Sequence, residues 1–325
     1  MRAILILSLV FGLQPMASAQ YAPPAGQTGT TAIHKDSSVF VNWATGVTQF
    51  SRGFMDIADP SLGLVTFGDS SVAIGQAEGT NSGVVSLGDS GSITLSFQYP
   101  IINGSGFDFA IFENGFSDTF LELAFVEVST DGITYIRFPS VSLTPENEIG
   151  GFGSLDATNL YNFAGKYRIG YGTPFDLEDI VDSTGIDINN INYVRLIDVV
   201  GTTNPQYATY DSQGNIVIDP YSTPFSSGGF DLDAIGVINE NQNAYIKDNS
   251  LASFISVFPN PSYGNLNIKS IKSGFLNIYD MSGKKVFNKT CIGNETIFIN
   301  SLTKGIYLIK FEFDEGIETK KIIVQ

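Results

Sequence analysis

The sequence holds one cysteine, one histidine and one tryptophan in 325 residues. A lone Cys291 excludes an intramolecular disulfide, and it excludes a thiolate zinc site, which needs several cysteines. A lone His34 excludes a histidine-rich metal centre and weakens any Ser-His-Asp reading. It lies in a polar N-terminal stretch and reads as a solvated side chain. Basic residues are also scarce, 17 Lys and Arg against 33 Asp and Glu. The shortage is local: residues 20–250 carry 27 acidic and 7 basic side chains, residues 251–325 carry 6 and 9. A region this acidic repels the phosphates of DNA and RNA, so no nucleic-acid partner is expected. It attracts cations and stays soluble outside a cell. Long apolar runs are missing as well. The run Ala3–Leu13 is too short to cross ~30 Å of hydrocarbon, which takes about 20 residues, and no later segment is longer, so no transmembrane segment is expected. The G-x-S-x-G elbow, the P-loop and H-E-x-x-H are all absent.

What is present begins with export. Arg2, the short apolar run and Ala17-Ser18-Ala19 before Gln20 form the pattern of a secretory signal peptide over residues 1–19. The mature chain then reads as two units, residues 20–245 and 252–325. They are joined by a polar, Asn-rich stretch from Asn239 to Ser253, with the linker proper at 246–251. The first unit has little helical periodicity, abundant Gly, Ser, Thr, Phe and Val, and turn clusters every 8–12 residues, which is the all-β pattern.

Several strands are legible. Ser92–Phe97 places Ile93, Leu95 and Phe97 on one face, and Phe107–Phe112 does the same with Phe107, Phe109 and Ile111. The nearly continuous apolar run Leu121–Ser129 reads as a central strand, covered on both faces. Ile133–Phe138 follows the turn Thr130-Asp131-Gly132, and Tyr193–Val200 and Asp231–Ile238 complete the sheets. Two packed sheets follow as the architecture. Two long segments, 139–192 and 201–230, interrupt the pattern. Thr173-Pro174-Phe175-Asp176 in the first reads as a helix start with Pro at the first helical position. Ser212-Gln213-Gly214-Asn215 in the second reads as a hairpin turn.

The candidate metal ligands are Asp108, Glu113, Asn114, Asp231 and Asp233. Calcium takes six to eight oxygens from carboxylates, amides and main-chain carbonyls. Asp231 and Asp233 are two apart on a strand and share a face. Glu113-Asn114-Gly115 is a turn that brings carbonyls inward. Surface carboxylates and turn residues are the competing account, and structural calcium stays a possibility; no organic cofactor is expected. Asp131 is better explained as the turn residue before Gly132. For ligand binding the pool is Tyr161, Tyr167, Arg168, Tyr171, Tyr207, Tyr210 and Tyr221, because tyrosine offers a flat apolar face and one polar tip, suited to stacking on a sugar. Some of these rings are expected only to pin the loops. A glycosidase needs two carboxylates at a set spacing. Glu122 and Glu127 lie an odd number apart and point to opposite faces. Glu113 with Asp198 or Asp233 is the other pair, and no spacing supports it. A non-catalytic ligand-binding protein, for a glycan or a small scavenged nutrient, is therefore preferred over a hydrolase or a structural adhesin.

The C-terminal stretch resembles a known family. Phe258-Pro259-Asn260-Pro261, Gly264, Leu266-Asn267-Ile268, Ile278–Val286 with its Asp280-Met281-Ser282-Gly283 turn, Leu302–Tyr307 and the closing Lys321–Val324 resemble the C-terminal sorting domain of the type IX secretion system. The resemblance implies a small immunoglobulin-like β-sandwich over 252–325. It also implies partnership with the type IX machinery of a Bacteroidetes-type cell, and a product released or attached at the outer surface. In the first unit, Val126–Gly132 with Tyr135 and Phe138, Tyr193–Asp198 and Phe230–Ile235 resemble galactose-binding-like jelly rolls. That implies a jelly-roll-like β-sandwich with long loop insertions, ligand binding and, often, structural calcium. Asp108–Gly115 also resembles uncharacterised bacterial surface proteins, from which no activity follows.

Overall fold

The computed structural model describes residues 21–242, 255–270, 273–313 and 316–325. The signal peptide at 1–19 and the linker at 246–251 lie outside the described residues. The chain divides into two compact units, residues 1–245 and 246–325. Both are all-β; among the described residues the only helices are 3-10 turns of three or four residues.

The first unit has two antiparallel sheets. One has the order Gly46–Ser51, Ser92–Ile101, Ile191–Asp198, Ala124–Ser129, Ile136–Arg137. The other has the order Ile33–His34, Tyr171–Phe175, Phe109–Glu113, Asp231–Val237, Asn42–Trp43, with Val85–Ser86 also pairing on Asp231–Val237. Period-two alternation, shifted once by a bulge between Leu232 and Ala234, sends Ile93, Leu95, Val126, Val128, Val194 and Leu196 of the first sheet, and Phe109, Ile111, Leu232, Ile235 and Val237 of the second, into one shared core.

The opposite faces are covered too. Ala110, Phe112 and Ala234 lie under Phe40 and Trp43. Phe125 and Ile197 lie under Leu155, Leu160, Phe163, Val217 and Ile218, which come from the two long insertions. Double coverage is why Phe109–Glu113 and Ala124–Ser129 are buried at every position and read as unbroken apolar runs. The run Leu121–Ser129 becomes a strand only from Ala124, and it is Ile191–Asp198 that holds the centre of its sheet.

Thr173-Pro174-Phe175-Asp176 does not start a helix. Tyr171–Phe175 is a strand paired with Phe109–Glu113, and the helical turn is Leu177–Ile180, capped by Asp176. Pro174 is tolerated because pairing on the other side, to Ile33–His34, stops at Gly172, so no ladder partner loses a donor. The two predicted turns form. Asp131 Oδ1 accepts from the main-chain N–H of Ile133 and Thr134, 2.8 Å each, and Gly132 takes φ +74°, a conformation that favours glycine. Gly214 N donates to Asp211 O at 3.1 Å across the other.

The second unit is also a sandwich. Ile255–Phe258, Asn265–Ser270 and Glu295–Phe298 form one sheet, and Lys285–Ile292, Ser273–Asp280, Gly305–Phe313 and Gly316–Val324 the other. Leu266, Ile268, Ile278, Ile309, Phe311 and Cys291 meet in its core. Asp280 closes its turn by accepting from Ser282 N and Lys284 N.

Phe109 is fully buried and packs on Phe175 at 5.4 Å and Phe138 at 5.9 Å between ring centres. Phe109→Ala is expected to destabilise the first unit by about 3–5 kcal/mol, read from chemical denaturation of the purified chain.

Candidate functional site

The end of the pairing between Phe109–Glu113 and Asp231–Val237 gathers an unusual group of acids. Glu113, Glu122, Asp198, Asp219 and Asp231 are all buried. A β-bulge between Leu232 and Ala234 lies at this end of the pair. Four of the five accept hydrogen bonds. Asp198 accepts from Phe230 N at 2.7 Å and Ser90 N at 3.2 Å, and Asp219 accepts from Leu123 N at 2.9 Å. Asp231 accepts from the Ser86 hydroxyl and from Asn114 Nδ2 at 3.1 Å. Glu113 uses one oxygen, Oε2, to accept from Gly115 N at 2.6 Å. Its Oε1 and the Asn114 Oδ1 are buried without a hydrogen-bond partner.

No cation offsets this group. Among the described residues none of these five carboxylates has an ion pair with Lys, Arg or His. Burial, and then the charge of Asp231, pushes Glu113 well above the usual carboxylate range. Burial followed by Glu113 and Asp231 does the same to Glu122. Burial raises Asp231 to about 7. Among the described residues no three carboxylate, imidazole or thiolate groups converge as a ready-made metal cage.

The sequence-predicted ligands are split by this geometry. Glu113, Asn114 and Asp231 come together. Asp233 is nearby but is occupied, accepting from Glu78 N at 2.9 Å and Gly79 N at 2.8 Å. Asp108 stands apart, at the opposite end of the strand from Glu113. It accepts from Gly104 N, Leu177 N and Asn239 Nδ2, so it ties three segments together and is not free for an ion. Glu122 was legible only as half of a weak catalytic pair. It joins the acidic group because residues 121–123 are not strand and the alternation argument fails there. Its supposed partner Glu127 is held by Arg137 and Arg195.

The loop from Asn114 to Leu121 carries an aromatic row. Phe116 stacks on Phe120 at 5.5 Å, Phe120 faces Phe152 at 6.3 Å, and Phe152 faces Phe225 at 5.7 Å. Phe116 and Phe152 are 61% and 75% exposed, large values for contiguous phenylalanines. Sequence reasoning concentrated on tyrosine and passed over these rings. The signal was available as Phe beside Gly and Ser in loop segments.

The predicted aromatic pool is dispersed. Tyr167 departs from a surface role: it is buried, and its hydroxyl lies 2.7 Å from Thr31 Oγ1, pinning the N-terminal segment. Arg168 pairs with Asp118, donates to Ala25 O at 3.0 Å and lies 4.8 Å over the Tyr171 ring, and Tyr171 itself meets His34 edge-on. Tyr221 donates to Asp56 at 2.8 Å. Tyr210 is exposed and Tyr207 half-buried. Tyr161 lines a cleft of about 270 Å³ with Tyr21, Asn162, Lys166, Thr173 and Asp179. Tyr21 stacks on Tyr161 at 5.0 Å. Asp179 accepts from Tyr161 Oη at 2.9 Å and from Asn162 Nδ2 at 2.8 Å. Burial, with Asp179 behind it, pushes the Tyr161 hydroxyl up to about 12, so it stays a donor. Lys166 donates to Leu160 O at 2.7 Å, and burial lowers it to about 8. The Thr173 hydroxyl in the same cleft is buried without a partner.

Residues 256–325 match the family described as the secretion system C-terminal sorting domain. The C-terminal unit is that type IX sorting domain, and the protein is secreted or attached at the outer cell surface. No curated protein matches the sequence. Among solved structures, a biofilm-associated protein BSP domain is similar at 12% identity, over 86% of this chain and 52% of that one, with a TM-score of 0.18. A Ruminococcus gnavus β-glucuronidase in complex with uronic isofagomine is similar at 12% identity, over 73% and 35%, with a TM-score of 0.20. The chain spans about half or less of these structures, and likenesses this distant carry no argument about activity.

The buried acids set a pH dependence. Asp89 is raised to about 7 by burial, and Asp198 and Asp219 are raised well above their ordinary value by burial. An unfolded aspartate releases its proton near pH 3.9 while these hold theirs, so between about pH 4 and 7 the folded state binds more protons than the unfolded state. Stability conferred by protonation is full below that window and is lost as pH rises through it. Lys166 titrates above the window and does not oppose the trend. In a chelating buffer, the melting temperature at pH 5 is expected to exceed that at pH 8, measured by differential scanning calorimetry.

Proposed function

We propose that the first unit is a non-catalytic ligand-binding module delivered to the cell exterior by the C-terminal sorting domain, and that its ligand is a glycan or a similarly polyhydroxylated small nutrient. The observation that carries this reading is the cleft around Tyr161. It combines stacked tyrosine rings with a carboxylate, an amide, an ammonium and a hydroxyl that lacks a partner. Flat apolar faces bordered by convergent donors and acceptors suit the ring and hydroxyls of a sugar. About 270 Å³ accommodates a monosaccharide-sized group and not a folded partner.

Hydrolysis is disfavoured by the placement of the acids. Asp179 is tied to Tyr161 and Asn162, and Asp176 caps the turn that follows it. The acidic group around Glu113 is closed off from solvent, so no sugar reaches it. A second reading, an adhesin, is favoured by the row Phe116, Phe120, Phe152 and Phe225, exposed at all but Phe120, whose extent fits a macromolecular surface better than a single sugar.

Screening the purified chain against a glycan array and a panel of small nutrients distinguishes these readings. A sugar ligand is expected, with Tyr161→Ala weakening it about tenfold or more and Phe152→Ala leaving it unchanged. Binding that survives Tyr161→Ala counts against the cleft. Absence of any small ligand, with loss of cell adhesion on Phe152→Ala, favours the adhesin. In cells, deletion of residues 256–325 is expected to abolish the protein in the outer-surface and medium fractions, scored by immunoblot of fractionated cultures.

A further inference from the structure

Lys166, in the cleft around Tyr161, is 4% exposed, and a lysine is seldom buried this far without a carboxylate partner. Here it has none. Among the described residues its ammonium forms no ion pair, and its one hydrogen bond goes to Leu160 O at 2.7 Å. The Tyr167 ring centre, 5.6 Å from the nitrogen, adds only a weak attraction. An ammonium carries three N–H groups, so two are left without a protein acceptor among the described residues. Thr173 lines the same cavity, is also 4% exposed, and its hydroxyl has no partner. Two buried donors in one cleft therefore await an acceptor, and one of them is charged.

The acids of the cleft do not fill that role. Asp179 is exposed and Asp176 half-buried, and neither forms an ion pair with Lys166. Asp179 Oδ2 accepts from Tyr161 Oη and Asn162 Nδ2, and Asp176 Oδ1 accepts from Glu178 N at 3.0 Å. Water and salt screen charges on exposed groups, so these carboxylates leave the buried ammonium uncompensated.

We propose that the ligand of this cleft is an acidic sugar, one whose ring bears a carboxylate, and that the carboxylate pairs with Lys166 and accepts from the Thr173 hydroxyl. The inference rests on the sugar-binding reading of the cleft and narrows it. A carboxylate offers two oxygens with about four acceptor positions, so a single group satisfies both donors. Hydrogen bonds between two charged groups are about twice as strong as neutral ones. Burial lowers Lys166 to about 8, which keeps it an ammonium at pH 7 at some cost, and an anion beside it offsets that cost. A neutral sugar leaves the charge unpaired. Its hydroxyls can still meet Asp179 and Asn162, and its apolar face Tyr21 and Tyr161, so the charge on the ligand is what Lys166 selects.

The test is isothermal titration calorimetry of the purified full chain at pH 7 and physiological salt. Matched sugars are compared: galactose with galacturonate, glucose with glucuronate, mannose with mannuronate. At least one uronate is expected to bind about tenfold or more tightly than its neutral counterpart. Lys166→Met keeps the side-chain length and removes the charge. It is expected to abolish the preference, bringing the two members of that pair to within about twofold of each other. Thr173→Val is expected to weaken the uronate about threefold without lowering the melting temperature, because the hydroxyl has no protein partner to lose. Should Lys166→Met fail to fold, the matched pairs on the native chain and Thr173→Val decide. A neutral sugar bound as tightly as its uronate, or a preference that survives Lys166→Met, overturns the proposal and leaves the sugar reading standing. Failure of every uronate to bind also overturns it, and failure of every sugar on the glycan array overturns the sugar reading as well.

Discussion

The antiparallel pairing of Phe109–Glu113 with Asp231–Val237 is the constraint on which the first unit depends. Both strands are buried on both faces, so every side chain along them is committed to a core. Their inward residues join the two sheets, and their outward residues seat Phe40 and Trp43. The same register brings Glu113 beside Leu232 and fixes Asp231 against Ser86, and that is how acids far apart in sequence come to share one end of the sheet. Apolar packing along the strands holds together an end that electrostatics alone would force apart.

That arrangement separates two kinds of chemistry. The acids are buried, while Phe116 of the 114–121 loop is exposed. The Tyr161 cleft is built from other segments: the N-terminal stretch at Tyr21 and Thr31, and the strand Tyr171–Phe175. The long insertions therefore do more than decorate the sandwich. Leu155, Leu160, Phe163, Val217 and Ile218 form a core of their own on the far side of a sheet.

Much of the fold was legible because period-two alternation is strong where one face meets the core, as in Ser92–Phe97, and because Asp131-Gly132 and Gly214 have local turn chemistry that tertiary contacts need not supply. Pro174 misled because proline at a helix start and proline at a strand position open on one side look alike until the neighbouring strand is known to stop at Gly172. In the site, Glu113, Asn114 and Asp231 were legible as an oxygen-rich group flanking a turn. Asp108 looked equivalent to Glu113 in sequence, and only the length of the strand between them separates their roles. Glu122 was hidden by an alternation argument applied to residues that are not strand. Tyr167 was read as a surface ring because its burial depends on Thr31, 136 residues away.

The pairing of Asn42–Trp43 and Val85–Ser86 onto Asp231–Val237 has a kinetic consequence. The strand that receives these N-terminal partners is the last of its unit to leave the ribosome, so Asn42–Trp43 and Val85–Ser86 cannot join Phe109–Glu113 in the six-stranded sheet until nearly 240 residues exist. A domain with so many non-local contacts folds slowly. Its unfinished edges stay open until the final strand arrives.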